Sequence, residues 1–419
     1  MKILVLGSGA REHALVWRLQ QDPDVTSVLA APGNPGIEHS IAVRLDDPGQ
    51  ILDLARAQAI DLTVVGPELP LAAGVADRFA AAGLPILGPT AAAARLETSK
   101  AFAKAFMERH RIPTARFEVA ASAPEGLAIV ESGRLGWPLV IKADGLAGGK
   151  GVVIALDPAE AELAVRAAMV DRRFGDAGGQ VVFEECLTGP EVSVFALCDG
   201  TTARLLLTAQ DHKRAYEDDK GPNTGGMGAF APSPLLTEPL ARRVMDEIVD
   251  PVIAGMRAEG HPYSGFLYAG LMLTPDGPKV IEFNVRFGDP EAQVVLPALA
   301  GPLARVLLAA AEGQLASAPA LTWNGERFAG VVLASGGYPG DIETGMPIGG
   351  LDDAREDALV FHAGTARRGG HIVTAAGRVL TVVGRGATYR DAIDRAYGAA
   401  SRIHFDKMQF RKDIGRSAL

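Results

Sequence analysis

Leu139-Val140-Ile141-Lys142-Ala143-Asp144-Gly145-Leu146-Ala147-Gly148-Gly149-Lys150-Gly151 runs from an apolar strand ending in a lysine into a loop with four glycines in its last eight residues; a second apolar run, 152–155, follows at once. Without a Cβ, such a loop lets backbone N–H groups approach phosphate oxygens. A mobile surface loop is the plainer alternative. The segment is not a P-loop, which needs G-x4-G-K-[ST] leading into a helix. Here Gly145 stands one residue too close to Gly149-Lys150, Gly151 replaces the Ser/Thr, and a strand follows.

Upstream, short β runs at Ile3–Leu6, Ser27–Ala30, Leu62–Val65 and Pro85–Leu87 alternate with helical stretches near 12–20, 49–58 and 70–82. That alternation predicts a parallel sheet with helices on its faces, and ligand-binding loops at the carboxyl ends of its strands. Gly7-x-Gly9-x-x-Glu12 lacks the third glycine of a dinucleotide fingerprint, although a phosphate could still sit on the helix N-terminus there. Downstream the chain is richer in strands, at Leu139–Lys142, Val152–Ala155, Val181–Glu185, Val192–Leu197, Leu205–Ala209, Phe266–Leu273 and Val280–Phe283. Helices are expected near 99–110, 159–170 and 238–258. The last part adds strands at Ala329–Leu333, Leu359–His362 and Val379–Val383 and a helix near 388–402.

The chain's 419 residues predict roughly three domains at ~150 residues each, with boundaries near 100 and 320. A hydrophobic fraction of 48% supports a full core and excludes global disorder. The net charge of −9 argues against a dedicated nucleic-acid binder. The two cysteines, Cys186 and Cys198, form no CxxC pair, and Arg11-Glu12-His13 arrives too early for a secretory signal, so a cytoplasmic setting is expected. Val294 to Ala311 is the most apolar stretch, but Pro297, Pro302 and Arg305 make it a buried amphipathic helix rather than a membrane span.

In Val280-Ile281-Glu282-Phe283-Asn284-Val285-Arg286, period two puts Glu282, Asn284 and Arg286 on one face and Phe283 and Val285 on the other. A carboxylate beside an amide oxygen suits a hard cation such as Mg²⁺; a solvent-facing polar edge is the alternative. Asp289 and Glu291 follow in a tight turn. Lys142, at a strand end beside the glycine loop, calls for an anionic partner. Lys104 shares a helix with Phe102 and Phe106, and an isolated lysine is usually solvated. Adjacent Glu184 and Glu185 must point to opposite faces of their strand. Asp211-His212-Lys213-Arg214 is a polar tetrad after a strand, with a surface turn as its alternative. The histidines make no zinc pattern, and no GxSxG elbow is present.

Several separated segments then resemble one family: Gly-x-Gly-x-Arg11-Glu12-His13-Ala14, Gln210-Asp211-His212-Lys213-Arg214, Gly221-Pro222-Asn223-Thr224-Gly225-Gly226-Met227-Gly228, Gly265-Phe266-Leu267-Tyr268-Ala269-Gly270 and Arg286-Phe287-Gly288-Asp289-Pro290-Glu291-x-Gln293. Together with the closing His404-Phe405-Asp406 and Arg411-Lys412-Asp413-Ile414-Gly415, they are similar to the glycinamide ribonucleotide synthetase (phosphoribosylamine–glycine ligase) family of ATP-grasp enzymes, over essentially the whole chain. The resemblance implies an α/β architecture of three parts: an N-terminal parallel-sheet, Rossmann-like pre-ATP-grasp domain (1–100), an ATP-grasp α+β domain (101–320) with a small lid at about 120–190, and a C-terminal mixed α/β domain (321–419).

It further implies that ATP phosphorylates the glycine carboxylate and that 5-phosphoribosylamine attacks the glycyl phosphate. By this resemblance Lys104 and Lys142 contact ATP phosphates, the loop residues Gly145, Gly148, Gly149, Lys150 and Gly151 form a mobile flap that binds ATP, Glu185 and Leu187 lie at the adenine, Glu191 at the ribose, and Glu184 belongs to the same ATP-binding set. Glu282 and Asn284 are the implied ligands of Mg²⁺ or Mn²⁺. Gly9, Asn34, Glu68, Asp211, Lys213, Asn223, Thr224, Gly225, Gly226, Arg286 and Asp289 are implied for glycine and phosphoribosylamine, with Asp211 and Arg286 nearest the chemistry. No nucleic acid or membrane is implied as a partner; transient contact with neighbouring purine-pathway enzymes stays open. Ala10 departs from the expected second glycine, and Gly265–Leu273 carries no acid for a second metal. A formate-dependent transformylase, carboxyaminoimidazole ribonucleotide synthetase and a nucleotide-binding regulator remain as rival readings.

Overall fold

The computed structural model describes residues 1–145 and 151–419. The expectations for Gly148, Gly149 and Lys150 therefore lie outside the described residues.

The amino-terminal alternation forms a parallel sheet in the order Ser27–Pro32, Lys2–Gly7, Leu62–Val65, Ile86–Leu87. Ile3 to Leu6 are fully buried because their strand is central and covered on both faces. The helix expected at 70–82 is instead two pieces, Glu68–Ala72 and Val75–Ala81. Gly74 between them takes φ +83, a left-handed conformation that ends the first helix and starts the second.

A separate antiparallel sheet, ordered Phe117–Ala120, Val181–Glu185, Leu139–Ala143, Val152–Ala155, lies in the stretch expected to form a lid. Leu139, Ile141, Val181 and Phe183 turn to one side and pack with Val130, Ala161 and Val165 of two covering helices, Ala123–Ser132 and Pro158–Val165. Their neighbours Val140, Lys142 and Glu184 therefore share the other face, since Val140 is paired with Glu184 and Lys142 with Val182.

The largest sheet has eight strands in the order Gly277–Asn284, Ser264–Thr274, Glu191–Asp199, Ala203–Asp211, Gly228–Ala231, Arg327–Ala334, Arg378–Gly386, Leu359–His362. Gly228–Ala231 joins the central strands to the carboxy-terminal ones, so one sheet continues across position 320. Gly228 is needed there because a Cβ would stand 2.6 Å from the Gly330 carbonyl oxygen. The amino-terminal sheet packs onto this one: Leu4 and Leu6 share a buried cluster with Val194 and Phe283. The single helix expected over 294–311 is corrected to a turn, Ala292–Val295, and a helix, Leu303–Ala311; Pro297 and Pro302 interrupt the path between them. A hairpin of Thr365–Arg368 and His371–Thr374 has no counterpart in the expectations, because its polar residues carry no clear alternation. No helix among the described residues is long and apolar enough to cross a membrane.

Candidate functional site

Lys142 leaves this face of the four-stranded antiparallel sheet toward the central sheet, where its Nζ donates to the Ile281 carbonyl at 3.2 Å. Glu184, opposite on the same face, receives Lys104 from the helix Lys100–Arg109, with Nζ 2.7 Å from Oε2. Lys142 forms an ion pair with the other oxygen, Oε1, at 2.8 Å, and Oε1 is buried with no hydrogen-bond donor among the described residues. Lys104 also donates to Thr114 Oγ1 at 2.8 Å and is only 2% exposed. Burial, opposed by Glu184 and reinforced by Lys142, brings its pKa down to about 8. Glu185 points the other way, as strand alternation requires, and binds Arg116 with Nε 2.6 Å from Oε2. Phe117, Val119, Val140 and Ile154 surround Lys142 and Glu184 with apolar surface, Val119 and Ile154 being exposed. Leu187 follows in the link between the strands Val181–Glu185 and Glu191–Asp199. Gly145 and Gly151 flank the residues outside the description; Asp144 beside them caps the helix Lys100–Arg109 by accepting from Ala101 N at 2.7 Å.

On the central sheet, Glu282 and Asn284 share the face of Gly270 and Tyr268, while Phe283 and Val285 are buried in the opposite core. The Glu282 side chain is 41% exposed, 3.9 Å from Lys213 Nζ, and has no hydrogen-bond donor among the described residues. Burial would raise its pKa, but Lys213, Lys142, Lys100 and Arg286 outweigh that and hold the carboxylate below its ordinary value. Lys213 Nζ bonds Glu191 Oε2 at 2.8 Å. Asp211 ends the adjacent strand; burial, opposed by Lys213 and reinforced by Glu291 and Glu191, pushes its pKa up to about 7. The tetrad 211–214 is therefore no surface turn: His212 is also enclosed and accepts from Gly415 N at 3.1 Å. Glu291 is raised by burial as well, and it accepts from Ser193 Oγ at 3.1 Å.

Arg286 closes this row. Its Nη2 lies 2.9 Å from Glu97 Oε1, and its Nε 3.4 Å from Glu68 Oε2. Thr224 N and Oγ1 both donate to the Lys213 carbonyl, at 2.8 and 2.9 Å, tying the 223–226 loop to the lysine. Asn223 borders that loop, paired with Arg214. Arg378 Nη1 then donates to the Gly225 carbonyl at 2.6 Å and to the Asp289 carbonyl at 2.8 Å, and lies 3.2 Å from Asp289 Oδ1. Gly225 N donates to Tyr338 Oη at 3.1 Å. Gly9 faces this group, since a Cβ on it would stand 3.5 Å from Asp289 Oδ2. Asn34 Nδ2 bonds the Ser8 carbonyl at 2.9 Å and the His362 carbonyl at 2.8 Å, joining the amino-terminal loops to the carboxy-terminal strands.

At the helix N-terminus after Gly9, where a phosphate is expected to be able to sit, the protein's own carboxylate takes the Gly9 N–H. Glu12 Oε2 accepts from Gly9 N at 2.6 Å, and its Oε1 pairs with Arg11 Nε at 2.5 Å. Sequence reasoning also missed Lys100, whose Nζ donates to the Gly145 carbonyl at 3.0 Å and which stands close enough to Glu282 to shift its ionisation. Its i,i+4 spacing from Lys104 was the available signal. Arg378 had no local signal at all. The structure thus gathers Lys100, Lys142, Lys213 and Arg286 around Glu282 and Asn284, and leaves Lys104 enclosed behind them.

Three segments match the phosphoribosylglycinamide synthetase domains: the N domain over residues 1–97, the ATP-grasp (A) domain over 98–292 and the C domain over 328–417. A protein of Xanthomonas axonopodis pv. citri called phosphoribosylamine–glycine ligase is 51% identical, covering 100% of this chain and 98% of its own. One of the same name from Caulobacter vibrioides is 51% identical, covering 100% and 99%. The crystal structure of a phosphoribosylamine–glycine ligase from Thermotoga maritima superposes with a TM-score of 0.86 at 33% identity, covering 99% of this chain and 100% of that one. The biotin carboxylase domain of a Hydrogenobacter thermophilus 2-oxoglutarate carboxylase shares the fold alone, at a TM-score of 0.71 and 18% identity over 97% of this chain and 91% of that one.

Proposed function

We infer the reaction from membership: the chain belongs to the phosphoribosylglycinamide synthetase family, and it ligates glycine to 5-phosphoribosylamine, giving glycinamide ribonucleotide, ADP and phosphate in purine biosynthesis. The observation that carries the site assignment is the convergence of Lys100, Lys142, Lys213 and Arg286 on a cleft-facing Glu282 that lacks a hydrogen-bond donor among the described residues. Cations gathered around an open carboxylate suit a polyphosphate and its counter-cation.

In this reading ATP lies between the lid face and the central sheet. The apolar surface of Phe117, Val140 and Ile154 takes the purine, Glu185 and Leu187 flank it, and Glu191 meets the ribose. Lys142 and Lys100 bind phosphate oxygens, while Lys104 holds Glu184 and so sets the position of Lys142. Glu282 and Asn284 offer two oxygens on one face, a donor set that fits Mg²⁺ or Mn²⁺ with phosphate and water completing it. When bound, such an ion supplies neutralisation of phosphate charge.

The γ-phosphoryl passes to a glycine carboxylate oxygen, and ADP leaves. The amine of phosphoribosylamine then attacks the carbonyl, forming the C–N bond and expelling phosphate. Arg286 holds the reacting carboxyl oxygens, and Asp211, kept weakly acidic by burial, takes the amine proton. Gly9, Asn34, Glu68, the 223–226 loop and Asp289 enclose the amino-acid and sugar-phosphate groups. Domains at 1–100, 101–320 and 321–419, with the lid at about 120–190, are the units of this reading. Two free cysteines support a cytoplasmic setting, and the instability of the amine favours its hand-over from a neighbouring purine-pathway enzyme. ADP formation with each substrate omitted in turn tests the reaction. Turnover should require glycine and phosphoribosylamine together; turnover supported by formate or bicarbonate instead would overturn it.

A further inference from the structure

We propose that Glu97 is a positioning residue, which aims the guanidinium of Arg286 at the reacting carboxyl group of glycine without touching substrate itself. The proposal rests on the role given to Arg286 above.

Glu97 sits in the single helical turn Arg95–Thr98, between the amino-terminal sheet and the helix Lys100–Arg109. Both of its oxygens are used inside the protein. Oε1 accepts from Arg286 Nη2 at 2.9 Å, and Oε2 accepts from the Val285 backbone N–H at 2.7 Å. The second contact has a clear origin. The strand Gly277–Asn284 ends one residue earlier, so Val285 N–H has no ladder partner and would be a buried orphan without Glu97. One carboxylate therefore grips the backbone at 285 and the side chain at 286, which fixes where the arginine leaves the strand.

The second acid beside Arg286 behaves differently. Glu68 approaches Nε only to 3.4 Å, and its side chain is 33% exposed against 6% for Glu97. Arg286 Nε is buried without a hydrogen-bond partner among the described residues, while Nη1 reaches the Phe287 carbonyl at 3.2 Å and Nη2 also reaches Asn284 Oδ1 at 3.4 Å. Glu97 makes the shortest of these contacts and also grips Val285, so it does most to hold the guanidinium in one orientation. A planar donor fork needs that arrangement to meet a carboxylate or acyl phosphate. Orientation matters at this level because a misplacement of about 1 Å at a reacting group costs on the order of 100-fold in rate.

The test is a double-mutant cycle of E97Q and R286K, reading kcat and KM for glycine, the affinity for a non-hydrolysable ATP analogue, and thermal melting. The glutamine keeps one oxygen for Val285 but turns an NH₂ group toward the guanidinium. E97Q should lower kcat/KM for glycine by about 30-fold or more, leave analogue affinity within about twofold, and have almost no further effect in the R286K background. Multiplicative losses in the double mutant, or wild-type glycine kinetics in E97Q, would overturn the proposal. If R286K alone leaves the glycine kinetics unchanged, the role of Arg286 fails and takes the proposal with it; an impaired R286K with an additive E97Q removes Glu97 only. Should E97Q not fold, E97D enters the same cycle, keeping the charge while losing reach, and additivity there is equally decisive.

Discussion

Lys104 Nζ and Glu184 Oε2 are 2.7 Å apart in a contact where both side chains are almost inaccessible, 3% and 4% exposed. A lysine inside such a pair still pays for its desolvation, and its pKa of about 8 lies below the ordinary 10.5. Between these values the unfolded chain binds more protons than the folded one, so folding stability rises with pH across that window and the penalty is fully present below it. Denaturant unfolding from pH 7 to 10.5 should show this rise in the wild type and lose it in K104M. Identical pH slopes in the two proteins would contradict it.

E184Q should be costly for the same reason. It removes the charge between two enclosed lysines, and breaking a buried pair of this kind costs about 3–5 kcal/mol. Thermal melts, with and without ATP, report the loss. Saturating nucleotide should recover part of it, since phosphate replaces the missing negative charge.

Glu282 is held ionised by surrounding cations and faces the cleft. E282Q should therefore reduce turnover by about 100-fold or more and flatten its dependence on Mg²⁺ or Mn²⁺, with little change in melting temperature. A variant with wild-type metal titration would remove Glu282 from the ligand set.

Asp211 is raised to about 7, chiefly by burial, so the folded state holds a proton between its ordinary 3.8 and 7 that the unfolded state has released. Its contribution to stability falls as pH rises through that interval. As the proton acceptor it also gives kcat/KM an acid limb near 7, shared with the neighbouring Glu291. D211N should abolish the limb and flatten the stability decline. A retained limb would assign the proton elsewhere.

Gly66 tests the packing around Glu12. A Cβ at Gly66 would stand 2.2 Å from Glu12 Oε1, and the carboxylate cannot move away without releasing Gly9 N–H and Arg11. G66A should cost about 1–3 kcal/mol of stability, measured by urea unfolding. Neutral stability would show that Glu12 has another place to go.

Local pattern was enough for much of this site. Period two alone placed Glu282, Asn284 and Arg286 on one face, because the strand continues almost to Arg286 and Phe283 and Val285 anchor the other side in the core. The same rule separated Glu184 from Glu185. It failed where the decisive neighbour is far away in sequence. Arg378 meets Gly225 across 153 positions and carries no nearby signature, and Arg411, although it also pairs with Asp413 two residues on, bonds Asp219 across 192. It failed for Lys104 too, since a helix position fixes a direction but not whether a carboxylate waits there.

The sequence by itself determined the alternation of strands and helices, the polar face of 282–286, the glycine loops and the family, because these depend on side-chain period, backbone freedom and motif order along one chain. Tertiary packing alone decided which charges meet. Lys100 lies beside Glu282 and Glu97 grips Val285 from 188 positions away, because each contact exists only once the amino-terminal segments have packed on the central sheet and the local desolvation has set which ion pairs survive.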